Sequence, residues 1–145
     1  MNIAYVLFAL SAAVFCYGEA CRCGFEKKSD NYCRAEWAAI LYVEGVQEVV
    51  DRIYDIRILE TLKGNIQQAD KNHLKTVRNS CGVPLQVNKY YVISGGVSDG
   101  HTLTTDLCKF IRKFDSNPAG SVQVPTCPAS SRRAKPKLPK LIIST

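Results

Sequence analysis

Cys21-Arg22-Cys23 is the stretch on which the reading of this 145-residue chain turns. Residues 3–15 before it are an apolar run, and Gly18-Glu19-Ala20 ends that segment with small residues at the two positions a signal peptidase reads. The run is too short to span a bilayer, which takes about 20 residues. No leucine stands where a lipobox would want one, so lipidation of Cys21 is set aside. The reading is a secretory leader over residues 1–20 and a secreted, extracellular product. Cleavage after Ala20 makes Cys21 the first residue, with a free α-amine beside its own carbonyl.

The rest of the composition agrees with that compartment. After cleavage 125 of the 145 residues remain, enough for one small domain. Seven cysteines become six once Cys16 leaves with the leader. An even number in a small secreted domain argues for three disulfides, and sequence alone allows about fifteen pairings. Cys21 and Cys23 are not expected to pair with each other, because one intervening residue makes a strained ring. A partner some sixty residues away would stabilise the fold by about 4 kcal/mol in the chain-entropy model. A metal site is disfavoured: there is no C-x-x-C pair, and His73 and His101 stand alone. The formal charge is +6, and the leader carries only Glu19, so the mature chain is near +7. In this compartment such a charge suits anionic matrix glycans better than nucleic acid.

Hydrophobic patterning predicts a mainly β domain. Strands are expected over residues 35–43, 49–62, 73–78, 86–94 and 101–105. In the second, Tyr54, Ile56 and Ile58 alternate with Asp55 and Arg57, while Ile53 and Leu59 break the alternation and suggest a curled strand. Lys63-Gly64-Asn65 and Ser98-Asp99-Gly100 are turns, and Gly95-Gly96 is expected to end the fourth strand. Residues 21–33 read as a polar, cysteine-bounded lead segment of loop character, with one helical turn before Cys33. Leu107, Phe110, Ile111 and Phe114 have helical spacing, so a short amphipathic helix is expected over residues 107–114, followed by a loop over 115–120. Five short curled strands point to a small closed or partly open barrel. After Cys127 the chain becomes rich in Lys, Arg and Pro, and residues 128–145 are expected to form an extended basic tail.

A leader followed at once by C-x-C, nine residues and another cysteine resembles the tissue inhibitors of metalloproteinases. Other landmarks are similar: residues 52–64, Arg-Ile-Tyr-Asp-Ile-Arg-Ile-Leu-Glu-Thr-Leu-Lys-Gly, look like the family's long second strand and turn. Ser80-Cys81-Gly82, Asp99-Gly100 and Cys108-Lys109-Phe110-Ile111 look like later landmarks. The resemblance covers residues 21–127. It implies a netrin-like module on a five-stranded OB-type closed barrel, with short flanking helices. It also implies the disulfides Cys21–Cys81, Cys23–Cys108 and Cys33–Cys127. The family's vertebrate members carry a second cysteine-rich domain, and this chain resembles the single-domain forms of invertebrates.

The same resemblance implies an inhibitor and not an enzyme. Metzincin proteases hold a catalytic zinc with three histidines and one open position. The amine and carbonyl of Cys21 would chelate that zinc and displace its water. The inhibitor needs no cofactor of its own; the zinc belongs to the target. Carried over residue by residue, the protease-binding ridge is Cys21, Arg22, Cys23, Gly24, Arg34, Arg78, Asn79 and Ser80. Arg22 departs from the small hydroxyl residue usual at the S1′ pocket. Arg78 departs from an acidic or polar one, and Gly24-Phe25-Glu26 stands where a proline is common. The plainer reading of each is a structural cysteine, a solvated arginine or an ordinary loop residue.

The alternative function is a netrin-type extracellular module that binds matrix, glycan or receptor without inhibiting a protease. A single-strand nucleic-acid binder on the same barrel is set aside because of the leader and disulfides. The expected partners are secreted or membrane-anchored metzincins, with anionic glycans on the basic tail. No nucleic acid, no membrane span and a monomeric state are expected. His73 and His101 lack the neighbours that catalysis would need.

Overall fold

A computed structural model describes residues 20–24 and 26–129 of the chain. The expected leader up to residue 19, and the expected basic tail from residue 130, lie outside the described residues. Helix α1 spans Lys28–Arg34. It is followed by β1 (Trp37–Glu48), β2 (Arg52–Lys63), β3 (His73–Thr76), β4 (Tyr90–Ser98), β5 (Thr102–Thr104) and β6 (Ile111–Phe114). No helix among the described residues is long and apolar enough to cross a membrane.

The sheet runs β1-β2-β3-β5-β4, and β4 returns to pair with β1. Five strands thus close an OB-type barrel, while β6 extends the edge of β4. All pairings are antiparallel except β3 with β5. Closure demands that β1 serve two partners along one twelve-residue length. Register shifts at Ala38/Ala39, Ile40/Leu41 and Val43/Gly45 allow it. Each extra residue bends the strand and increases its twist, which is how a flat ribbon is made to close.

Side chains alternate across this curled surface as the pleat requires. Trp37, Ala39, Leu41 and Val43 face the interior with Tyr54, Ile56, Leu74, Tyr91, Ile93 and Leu103. Ile66, Val83 and Leu85 join that core from the connecting loops. Ala38, of opposite pleat, packs outside the barrel against Tyr32 and Cys33 of α1. The helix is short and has no side-chain N-cap. Its C-terminus is better served: Lys63 donates to the carbonyls of Tyr32 and Cys33. A cation at the last carbonyls satisfies groups the helix leaves open. Burial holds the Lys63 ammonium below the usual lysine range.

Three expectations are corrected. Gly95-Gly96 does not end β4; the strand runs through both to Ser98. These glycines mark where β4 leaves its pairing with Trp37 and takes up β5: Trp37 faces Gly95, and Gly96 faces Thr104. A Cβ on Gly95 would stand 1.9 Å from the Thr104 carbonyl oxygen, so the glycine permits a close backbone approach. Residues 107–114 do not form a helix. Residues 107–109 make a turn, with the Cys108 N–H donating to Asp106 Oδ1 at 2.8 Å. Phe110 and Ser94 exchange hydrogen bonds, and Ile111–Phe114 then pairs with β4. An open strand edge overrides a helical spacing only eight residues long. Finally, residues 49–51 are not strand. They form the tip of the β1–β2 hairpin, and Val49 and Val50 are 74% and 84% exposed.

Tyr54 locks the loop that covers one end of the barrel. Its buried hydroxyl donates to the Val83 carbonyl at 2.8 Å and accepts from the Leu85 N–H at 2.8 Å. Tyr54→Phe leaves both backbone groups without that partner. The expected loss, read as a lower midpoint in urea unfolding, is about 2–3 kcal/mol. An unchanged midpoint would show that the loop does not depend on the hydroxyl.

Candidate functional site

The three disulfides join Cys21 to Cys81, Cys23 to Cys108 and Cys33 to Cys127, with Cα separations of 4.8, 5.2 and 5.4 Å. They are the pairs that the resemblance implies. Their arrangement fixes the lead segment at two points one residue apart. Cys21 is tied to the loop after β3, and Cys23 to the turn before β6. Those anchor loops are themselves joined, since the Leu107 N–H donates to the Cys81 carbonyl at 2.9 Å.

Each anchor is stiffened locally. The Cys81 N–H donates to Asn79 Oδ1 at 2.9 Å, and the Gly82 N–H donates to the Asn79 carbonyl at 3.0 Å. A Cβ on Gly82 would lie 1.8 Å from the Val77 carbonyl oxygen, so this loop closes tightly because residue 82 has no side chain. Asp106 plays the same part beside Cys108, capping its N–H and taking the Lys109 N–H at 3.0 Å. Short polar side chains that bond two residues onward make such turns without a regular element.

The Sγ atoms of Cys21, Cys23 and Cys108 lie within 4.8 Å of one another. These sulfurs are engaged in disulfides and are not the thiolates that bind zinc. The groups left at Cys21 for chemistry are its backbone nitrogen and oxygen. Cys21 is half-buried, whereas Ala20, Arg22, Cys23 and Gly24 are exposed. The segment therefore sits as a rigid exposed strip with its first cysteine partly sunk into the body.

The remaining predicted residues divide. Asn79 and Ser80 lie in the Cys81 loop, beside the bridge to Cys21, and both are exposed. Arg34 is at the end of α1, exposed, and paired with Glu26 of the lead segment. Arg78 does not project freely from the ridge. Its Nη1 donates to the Val49 carbonyl at 2.7 Å, and Nη2 lies 4.0 Å from Glu48. It fastens the β1–β2 hairpin tip to the Cys81 loop. His73 lies elsewhere, between Asp70 at 2.6 Å and Asp55 at 3.4 Å. The hydrogen bond from His73 holds the Asp70 carboxyl below its usual range.

Two apolar features near this strip were missed in the sequence. Val49 and Val50 were read as the start of a strand. Leu107, 46% exposed, was read as part of a helix. The turn-forming Glu48 and Asp51 beside the valines, and Asp106 before Leu107, were the available signals. Chemically, the arrangement presents one backbone nitrogen and one backbone oxygen of Cys21 on a strip held by two bridges.

Comparison with known proteins accounts for the pattern. The family model for tissue inhibitor of metalloproteinase matches residues 19–120. Metalloproteinase inhibitor 3 of Scyliorhinus torazame is 30% identical over 105 residues, which is 67% of this chain and 49% of that protein. The chain thus spans about half the length of the curated relative it matches. The match takes in the C-x-C strip, both anchor loops and every strand of the barrel, and the chain belongs to the tissue inhibitor of metalloproteinase family.

Proposed function

We propose that this protein is a secreted inhibitor of zinc metalloproteinases, acting through the α-amine and carbonyl of Cys21 after cleavage behind Ala20. The observation that carries the reading is the double anchoring of residues 21–23 by the Cys21–Cys81 and Cys23–Cys108 bridges. A nitrogen and an oxygen on one residue make a five-membered ring with a metal. On the catalytic zinc of a metzincin they would occupy the position of the attacking water. The bridges remove the strip's freedom during folding and not during binding, which favours affinity.

Arg22 lies between the bridges and would enter the S1′ pocket. A guanidinium buried in an apolar pocket is unfavourable unless paired, although its stem can line the wall while the head reaches water. Arg34, Asn79 and Ser80 border the strip as further contacts. Arg78 acts as a positioning residue through the hairpin tip. Residues 1–20 would direct secretion, and the basic residues beyond 129 would add contact with anionic glycans. The second reading is a netrin-type binding module without inhibition, favoured by the diversion of Arg78 onto Val49.

Three outcomes are expected. Mature protein beginning at Cys21 inhibits members of a metzincin panel, and protein that retains Ala20 does not, because the amine has become an amide. Equal inhibition by both excludes chelation, and none by either leaves the binding module. Second, affinity weakens as pH falls. Only the neutral amine donates its lone pair, and an α-amine titrates near about 7.7–8.0. Below that range the dissociation constant should rise by up to about tenfold per pH unit, measured against a zinc ligand without an amine. Third, Arg22→Thr tightens inhibition of matrix-type enzymes. Weaker inhibition would mean that the target has a pocket matched to arginine.

A further inference from the structure

Arg57, Tyr42, Tyr90 and Phe114 form a row across four strands on the outer face of the barrel. Tyr42 is paired in register with Arg57 on one side and Tyr90 on the other, and Tyr90 with Phe114. The Tyr42 and Tyr90 ring centroids are 4.8 Å apart. Arg57 lies 5.3 Å from the Tyr42 centroid, and Arg112 lies 5.0 Å from that of Phe114. All three rings are half-buried. The row covers three strand spacings, about 14 Å. Cross-strand pairs of this kind also stabilise a sheet whatever lies outside it, so the row alone does not imply a ligand.

The cleft at its Phe114 end does. This cleft of about 320 Å³ is lined by Arg112, Phe114, Ser116, Asn117, Ser121 and Gln123, among others, and no carboxylate enters it. Two larger clefts do hold carboxylates: Glu44 and Glu60 line one, and Glu36 the other. Ion pairing across the face is equally uneven. Arg57 has Glu44 at 3.2 Å, and Lys89 has Asp115 at 2.8 Å. Arg112, held over Phe114, has no ion pair among the described residues. The cation–π contact with Phe114 holds the Arg112 guanidinium beside the cleft, and its N–H donors can meet a bidentate anion.

We propose that this face binds an acidic polysaccharide, with a sulfate or carboxylate group seated against Arg112 and sugar rings laid along Phe114, Tyr90 and Tyr42. Flat apolar ring faces beside hydroxyl and amide groups suit a pyranose. A guanidinium with no ion pair among the described residues suits its acid group. The face shares no residue with the Cys21 strip, and the proposal does not depend on protease inhibition. It also differs from a contact made by the basic residues beyond 129, because it assigns the binding to the folded barrel.

The test is calorimetric titration of the full chain with a short heparin-derived oligosaccharide at several salt concentrations. Arg112→Gln should lower affinity about tenfold, and Arg112→Lys by less, since the charge remains but the planar fork is lost. Tyr90→Leu, which keeps apolar bulk without a flat polar-edged ring, should weaken binding a few-fold and leave the salt slope unchanged. Unchanged thermal unfolding of each variant separates binding from folding. Absence of binding, or equal affinity of Arg112→Gln and the parent, overturns the proposal; the latter assigns binding to the basic tail. Equal, Arg112-dependent binding of polyglutamate or of a single-stranded oligonucleotide also overturns it, because the face would then read charge and not sugar.

Discussion

Strand β1 is hydrogen-bonded along both edges, to β2 on one side and β4 on the other, and the barrel closes only because of this. The double pairing requires a strongly coiled strand, supplied by three register shifts. It also requires β4 to change partners within its own length. That exchange happens at Gly95 and Gly96, where the backbone passes close to Thr104. Trp37 secures the crossing by donating from its indole nitrogen to the Gly96 carbonyl at 2.7 Å. The loops that anchor the Cys21–Cys23 strip depart from this closed frame, so their positions follow from it.

The strip itself contains almost no regular structure. Residues 21–24 belong to no helix or strand, and the anchor loops are built from Asx-type turns at Asn79 and Asp106. Order comes from covalent bridges and from the Leu107 to Cys81 hydrogen bond between the anchors. This is a common solution where a binding group must be exposed yet held still, since a buried loop could not satisfy its own backbone. Arg78 extends the same frame outward: by gripping Val49 it makes the hairpin tip part of one rigid surface with the Cys81 loop.

Much of this was legible in the cysteines. Their spacing, C-x-C and then another cysteine nine residues on, points to the family and through it to the disulfide pairs. The strands were legible as periodicity, with Tyr54 and Ile56 inward and Arg57 outward. What failed was whatever depended on a partner distant in sequence. Gly95 looks like a strand end until Thr104 is brought against it. Phe110 and Ile111 look helical until the open edge of β4 is available. Val49 and Val50 have the composition of a strand, but the antiparallel return of β2 forces them into a turn. The hold of Arg78 on the hairpin tip was not legible, because the atom it grips is a backbone carbonyl 29 residues earlier.

The order of the bridges has a consequence for biosynthesis. Each joins the lead segment to a later part of the chain, across separations of 60, 85 and 94 residues. Chains emerge from the ribosome N-terminus first, at about 5–20 residues per second. The lead segment is therefore made before the partners that fix it, and is held last. Cys33 must wait, as a thiol, for Cys127, and Cys23 must wait for Cys108. During that interval the lead segment is an unanchored peptide, and neighbouring thiols compete for its cysteines through exchange. Correct maturation then depends on the barrel closing before the wrong bridge does, and any change that slows β1–β4 pairing should be felt first as mispaired cysteines at the N-terminus.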